Sequence, residues 1–222
     1  TPLGAKIGRD IKERVEVTVV FDPFFYHFRP GGHVAALHVH REHHYFARID
    51  IEQFFYSVSR SVVQRALRDA GILKAQSFSK WSCVKNPYGD PAYSLPYGFV
   101  QSPILSTLVI MSSAIGAFLR ALDPQVTATV YMDDISLSSN NQGALGVAFT
   151  GLLEALETAH FRPNLAKTKA PTETIELFNC KLQQGLTAVR ESRRDEFYDT
   201  PKSPASEAAF EQYCASVEEG NF

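Results

Sequence analysis

Cysteine is scarce. The 222 residues hold three, Cys83, Cys180 and Cys214. The number is odd, the spacing is wide and no Cys-x-x-Cys occurs, which excludes a disulfide framework and a cysteine zinc site. A reducing compartment is the expectation. An excess of charge is missing too: 22 Lys and Arg against 24 Asp and Glu leave a net charge of -2. A protein that follows a long nucleic-acid backbone by its global field is usually more basic, so phosphate contacts must come from local clusters. The opening "TPLGAKIGRDIKERVEV" has no apolar core before a small-residue cleavage site, so no signal peptide is expected. Uncharged apolar runs of the ~18 to 20 residues that span a bilayer are also absent. The exception is 102–119, whose four serines, one threonine and proline fit a buried helix. A cytoplasmic protein with no membrane partner is expected. Hydrophobic content of 45% supports one packed domain, with or without a small appendage.

What is present is a mixed pattern. "VEVTVVF" (15–21) and "HYFARIDI" (44–51) read as strands. "FDPFFYHFRPGGH" is aromatic with a Pro-Gly-Gly turn. "SRSVVQRALRDAGI" reads as a helix capped by Ser59 and closed by Gly71. Residues 75–97 read as a loop or hairpin. A long helix is expected from Ser102, with Pro103 in its favoured first turn, through Leu122. "TATVYMDDISLSS" (127–139) reads as a β-hairpin, 143–161 as an amphipathic helix, and "TIELFNCKLQ" as a strand or hairpin. The tail from 190 is polar, with one short helix at 205–217. The order strand, helix, helix, hairpin, helix, strand predicts an α+β domain with an antiparallel sheet.

Three acids stand out. Asp50 ends a strand among Phe46, Ile49 and Ile51, and Asp133 and Asp134 occupy the hairpin tip. Each alone is better explained by turn polarity than by function. Three carboxylates at neighbouring strand ends would repel one another unless cations lay between them. Hard, oxygen-liganded Mg²⁺ is the usual occupant. Two such ions ~3.5 to 4 Å apart serve in-line phosphoryl displacement.

Five segments in order carry a resemblance. "RIDIEQFF" (48–55), "LPYGFVQSPILSTL" (95–108), "YMDD" (131–134), "FRPNLAKTK" (161–169) and "FNCKLQ" (178–183) resemble motifs A to E of reverse transcriptases, over about residues 25–190. "FRPGGHVAALHVH" resembles the run before motif A in bacterial enzymes of the retron and group II intron kind. The resemblance implies a right-hand polymerase palm with an antiparallel sheet and helices on one face. It implies partial fingers at 1–45, palm at 46–185 and a tail or rudimentary thumb at 186–222, since about 35 residues follow the motif E-like strands.

The implied roles follow residue by residue. Asp50 and Asp133 would be the main metal ligands, Asp134 a weaker one, and the Ile51 carbonyl an addition, for two Mg²⁺ ions with Mn²⁺ as a substitute. Phe55 matches the aromatic gate that excludes a 2′-hydroxyl, so dNTPs are implied; ordinary core packing beside Phe54 is the alternative. Lys167 matches the lysine that relieves the pyrophosphate leaving group; a solvated lysine is the alternative. Gly98 would let the backbone approach nucleotide or primer-template. Gln101 and Ser102 sit where the motif B helix begins, and its amides suit an anion. Tyr97 stands where the family typically has glutamine, which gives weight to loose templating or untemplated addition.

The implied activity is RNA-directed DNA synthesis, with bacterial anti-phage defence as context. The implied partners are an RNA or DNA template-primer, a non-coding RNA, and a second copy or second protein. A catalytically silent palm used as an RNA-binding or assembly scaffold is the reading from another class. "FDPFFYHF" and "FEQYCASV" are expected contact surfaces, and "RESRR" (190–194) either touches nucleic acid or is solvated. In "HVHREHH" (38–44), His38 and His40 on alternate strand positions would face the same way; polar packing is preferred over a transition-metal site.

Overall fold

The computed structural model describes residues 2–220; positions 1, 221 and 222 of the expected fingers and tail segments lie outside them. In chain order come α1 (Pro2–Thr18), a 3₁₀ turn at Tyr26–Phe28, α2 (Gly32–His40), β1 (Tyr45–Asp50), α3 (Phe54–Ser57), α4 (Arg60–Asp69) and α5 (Ala75–Ser82). Then follow β2 (Val84–Lys85), β3 (Tyr93–Ser94), α6 (Ser102–Ser112), α7 (Ala114–Arg120), β4 (Thr127–Tyr131), β5 (Asp134–Ser139) and α8 (Gln142–Thr158). The chain ends in β6 (Lys169–Thr172), β7 (Thr174–Leu177), β8 (Cys180–Gln183), β9 (Leu186–Val189), α9 (Glu191–Tyr198) and α10 (Pro204–Glu219). The architecture is α+β, and among the described residues every strand pairing in the three sheets is antiparallel.

Two compact units form, each from three stretches of chain. The first takes 2–23, 51–121 and 152–164. Its α1 corrects the strand expected at 15–21. Gly8, Ile11 and Val15 recur at helical spacing and are buried, whereas the β-branched Val17 and Val20 are 80% and 94% exposed. A Cβ at Gly8 would collide with the Gln101 side chain and approach Val100 Cγ1 to 2.9 Å, so this close crossing needs glycine. Ser59 caps α4 by accepting from the Val62 amide, as its sequence predicts. Residues 75–82, expected as loop or hairpin, form α5, and only β2 and β3 pair as a hairpin.

The long helix expected from Ser102 is also corrected. It breaks at Ser113, and α6 and α7 meet at a 67° bend. Ser113 Oγ donates to the Ile110 carbonyl at 2.7 Å and accepts from the Ile115 amide at 3.2 Å, so serine side chains compete with the helical ladder there. Gln101, not Ser102, occupies the cap position of α6. Among the described residues no single helix is long and apolar enough to cross a membrane.

The second unit takes 24–50, 122–151 and 165–220. Its main sheet has the order β4-β5-β1-β6, and a second sheet has the order β7-β8-β9. Phe46, Val34 and Leu37 share one core with Ile175, Leu177, Leu182, Phe210, Cys214 and Val217. The C-terminal segment is thus anchored by two helices, where one short helix in a turn-rich tail is expected from sequence. Within the expected contact surfaces Phe25, Tyr26, Phe210, Cys214 and Val217 are buried in the core, and Phe28 is exposed. All three cysteines are free thiols and buried.

Residues 32–40 form α2, so His38 and His40 do not face the same way. His38 Nε2 meets the Val217 carbonyl at 2.8 Å. His40 is buried with Nδ1 2.6 Å from Ser138 Oγ and Nε2 2.8 Å from Thr129 Oγ1. Both ring nitrogens are taken, which is the polar packing that its sequence context suggests and leaves none for a metal.

Candidate active site

Strand alternation puts Arg48 and Asp50 on one face of β1. Antiparallel register sets Asp50 directly opposite Asp134, the first residue of β5. β4 and β5 close at the Tyr131–Asp134 pair, leaving Met132 and Asp133 as a two-residue turn. Met132 has φ +58, unfavourable for a side-chain-bearing residue, and backbone strain of this kind gathers at functional sites. Its amide donates to His27 Nδ1 at 3.3 Å. Burial holds His27 down at about 4, against the pull of a backbone hydrogen bond with Val130, so the ring is the neutral acceptor the turn requires.

A second strained turn lies nearby. β7 and β8 are joined through Phe178 and Asn179, both at positive φ, as the tightest hairpin loops demand. Asparagine tolerates this and phenylalanine does so at a cost. The Phe178 ring packs edge-on against Tyr131, centroids 5.3 Å apart, which supports the acid-bearing hairpin from the side.

The carboxylates are met by two cations. Arg48 donates from Nε and Nη2 to the two oxygens of Asp134, the second at 2.8 Å, and Nη2 also lies 3.5 Å from Asp50 Oδ2. Lys167 Nζ donates to Asp50 Oδ2 at 3.2 Å. Asp50 is 2% exposed. Burial raises Asp134 to about 6 although Arg48 pulls it down. Burial also raises Asp133, reinforced by Asp50 and opposed by its own backbone, Lys167 and Arg48. Among the described residues no Lys, Arg or His nitrogen lies within 4.0 Å of the Asp133 carboxylate.

Asp50 and the unpaired Asp133 supply the hard oxygen donors that a divalent cation takes. Asp134 accepts from Arg48 on both oxygens, and each of these keeps a further acceptor site. Among the described residues no group of three or more His, Cys, Asp or Glu side chains is arranged to hold an ion. By donor chemistry alone Asp50 and Asp133 suit a divalent cation, and at Asp134 a metal would share the oxygens with Arg48. Sequence reasoning missed Arg48, although its place two residues before Asp50 on a strand was the available signal. His27 had no such signal.

The other expected residues lie in the first unit. Ile51 is 2% exposed and its backbone bridges to Pro163. Phe55 is half-buried, and its ring meets that of the 57%-exposed Tyr97 edge-on, 4.9 Å between centroids at 90°. Phe54 takes the core position, at 2% exposure. Gly98 has φ +83 with open space where a Cβ would stand. Gln101 and Ser102 are buried: Gln101 Nε2 donates to Ser82 Oγ at 3.4 Å and Ser102 Oγ to the Pro96 carbonyl at 2.7 Å. In the basic run at 190–194 each arginine faces a glutamate, with Arg190–Glu176 at 2.6 Å, Arg193–Glu196 at 3.3 Å and Arg194–Glu218 at 3.8 Å.

This geometry agrees with comparisons to known proteins. The foamy viral protease-reverse transcriptase in complex with an RNA/DNA hybrid is 17% identical, with a TM-score of 0.56 over 94% of this chain and 25% of that one. Its dRH form in complex with double-stranded DNA is 16% identical, with a TM-score of 0.55 over 88% and 30%. At these identities the likeness is one of fold, and this chain spans less than a third of the length of either. No curated protein sequence matches. Residues 4–192 match the family described as reverse transcriptase (RNA-dependent DNA polymerase). With 189 of 222 residues inside that match and the acids at the ends of adjacent strands, the chain belongs to the reverse transcriptase family.

Proposed function

We propose that this chain is an RNA-directed DNA polymerase domain that adds dNTPs to a growing DNA strand. The observation that carries this reading is the register pairing of Asp50 with Asp134, with Asp133 in the adjoining turn. Family members generally use divalent metal ions; here Asp50 and Asp133, with Asp134 as a weaker ligand and the Ile51 carbonyl as an addition, would hold two Mg²⁺, with Mn²⁺ as a substitute. Bound there, the metal would supply charge neutralisation at the attacking and leaving oxygens.

The chain's own residues divide the remaining work. The primer 3′-oxygen gives its proton to solvent and bonds to the α-phosphorus. The bond from that phosphorus to the bridging oxygen breaks, and its electron pair leaves on pyrophosphate. Lys167 Nζ, 3.2 Å from Asp50, is the ammonium that would donate a proton to that product. Arg48 holds the Asp134 carboxylate in place by its two-pronged bond. Phe55, five residues after Asp50, is the steric gate by its place in motif A; Tyr97 and Gly98 contact nucleotide or primer-template. Gln101 and Ser102 act through the start of α6, since their side chains are committed to the interior.

Residues 46–185 would serve as the palm, 1–45 as partial fingers and 186–222 as a tail or rudimentary thumb. The net charge of -2 gives no general attraction to nucleic acid. The working species would then be an assembly, with a second copy, another protein or a non-coding RNA, acting in the cytoplasm in anti-phage defence. Tyr97 favours a second reading, template-independent synthesis by the same site, because an exposed tyrosine stacks on a base and presents no amide. Supplying each dNTP with Mg²⁺, with and without co-purified nucleic acid, and sequencing the product tests these readings. A complement of the template supports the first and a template-free product the second. No product at all favours a silent scaffold.

A further inference from the structure

A groove of about 640 Å³ opens beside the acids in the second unit, a volume typical of small-molecule sites. Arg48, Lys167, Lys169 and Lys181 line it, with the Thr172 and Thr174 side chains. Two of these cations, Arg48 and Lys167, also touch Asp50, so the groove begins where the reaction would take place. The other two come from elsewhere in the fold. Lys169 stands opposite Arg48 in the β1–β6 register, and Lys181 opposite Glu176 in the β7–β8 register. Both are exposed, and among the described residues neither has a carboxylate oxygen within 4.0 Å. The single acid in the lining, Glu176, is held by Arg190 at 2.6 Å and does not offset them. Arg48 and Lys167 are already paired with Asp50 and Asp134, so among the described residues Lys169 on β6 and Lys181 on β8 are the cations that face this concave space without a carboxylate of their own.

We infer that this groove is a pyrophosphate site, in which Lys169 and Lys181 receive the product that Lys167 helps to release. The inference rests on the polymerase reading for the source of the pyrophosphate, but not for its binding. The reaction expels one compact polyanion beside Asp50. A chain of ammonium groups leading away from the carboxylates gives that product a lower-energy place than the acids themselves.

The test is titration of inorganic pyrophosphate into the whole chain in metal-free buffer at low salt, followed calorimetrically. Wild type should bind, and binding should weaken as salt rises. Lys169→Ala/Lys181→Ala should bind roughly tenfold more weakly, two exposed charges being worth about that much together. Lys169→Arg/Lys181→Arg should restore most of the affinity. If the double alanine variant does not fold, the single variants should each lose about threefold. Equal affinity in wild type and the alanine variants, or no binding by wild type, overturns the inference. A short single-stranded oligonucleotide is titrated in parallel, and an equal loss of its affinity assigns the lysines to nucleic-acid backbone and overturns it as well. Pyrophosphate binding with this variant pattern in a preparation that incorporates no dNTP supports the groove while telling against the polymerase reading.

Discussion

Arg48 grips Asp134 with two guanidinium nitrogens, and one of the two, Nη2, lies 3.5 Å from Asp50. The three side chains are 18%, 14% and 3% exposed, so the charges are largely out of water. Removing one partner of such a pair leaves an uncompensated charge, at a cost of about 3 kcal/mol. Arg48→Ala should therefore lower stability by about that amount at pH 8 in urea unfolding. Arg48→Lys should recover only part of it, because an ammonium cannot reproduce the two-pronged fork. A loss below ~1 kcal/mol in Arg48→Ala would show that the pair is not formed in solution.

Asp133 is the opposite case, a half-buried carboxylate with no Lys, Arg or His nitrogen within 4.0 Å among the described residues. Burial and Asp50 raise its pKa, which means the native state disfavours its charge. Asp133→Asn should abolish dNTP incorporation, because it removes a negative charge from the metal's donor set while changing little volume. It should also raise the melting temperature by a few degrees in EDTA above pH 6, roughly 1 kcal/mol for a chain of this size. Wild-type incorporation by the variant would remove Asp133 from the metal site. An unchanged or lower melting temperature would show that its charge is already compensated.

The acids were legible in sequence because their chemistry and their placement coincide: each falls at a strand end marked by alternating apolar residues. The Ser59 cap and the 127–139 hairpin were legible for the same local reasons. α1 was not, because a run of valines hides a helical period in which only Gly8, Ile11 and Val15 turn inward. The break at Ser113 was masked because apolar residues keep a near-helical spacing on both sides of it, from Ile104 to Leu122. Of the C-terminal helices α10 was legible at 205–217, whereas α9 was missed because its sequence is largely polar, and only the β7-β8-β9 sheet shows what Phe210, Cys214 and Val217 are for. Arg48 went unseen because an arginine on a strand is ordinary until register places an acid diagonally across from it.

The Phe55 and Tyr97 rings meet edge to face, an arrangement worth about 0.5–1.5 kcal/mol beyond area burial. Phe55→Ala should lose roughly 1 to 3 kcal/mol of discrimination against ribonucleotides, the scale of one pocket contact. Tyr97→Ala should lose a smaller part, about twofold to tenfold, because Phe55 then lacks its lateral support. Single-nucleotide incorporation with matched dNTP and rNTP pairs measures both. An unchanged ratio in an active Phe55→Ala enzyme would assign that ring to packing alone.

Acid sensitivity should trace to histidines rather than carboxylates. Burial lowers His40 to about 3, helped by repulsion from His43, and lowers His27 to about 4. A histidine depressed in the native state is protonated more readily when unfolded. Its stabilising contribution is therefore complete above the unfolded value near 6.5 and is lost as pH falls toward the folded value. The slope is about 1.4 kcal/mol per pH unit for each such group. Asp134, raised to about 6, works the other way below that pH, since its native state takes up a proton first. Comparison of variants separates the two. His40→Gln should be less stable than wild type at pH 8, having lost the imidazole bonds to Ser138 and Thr129. That deficit should shrink steadily between pH 6.5 and 4.5, because the variant has no buried imidazole to protonate. Urea unfolding across this range gives the difference at each pH, and a deficit that stays constant would place the acid-sensitive group elsewhere.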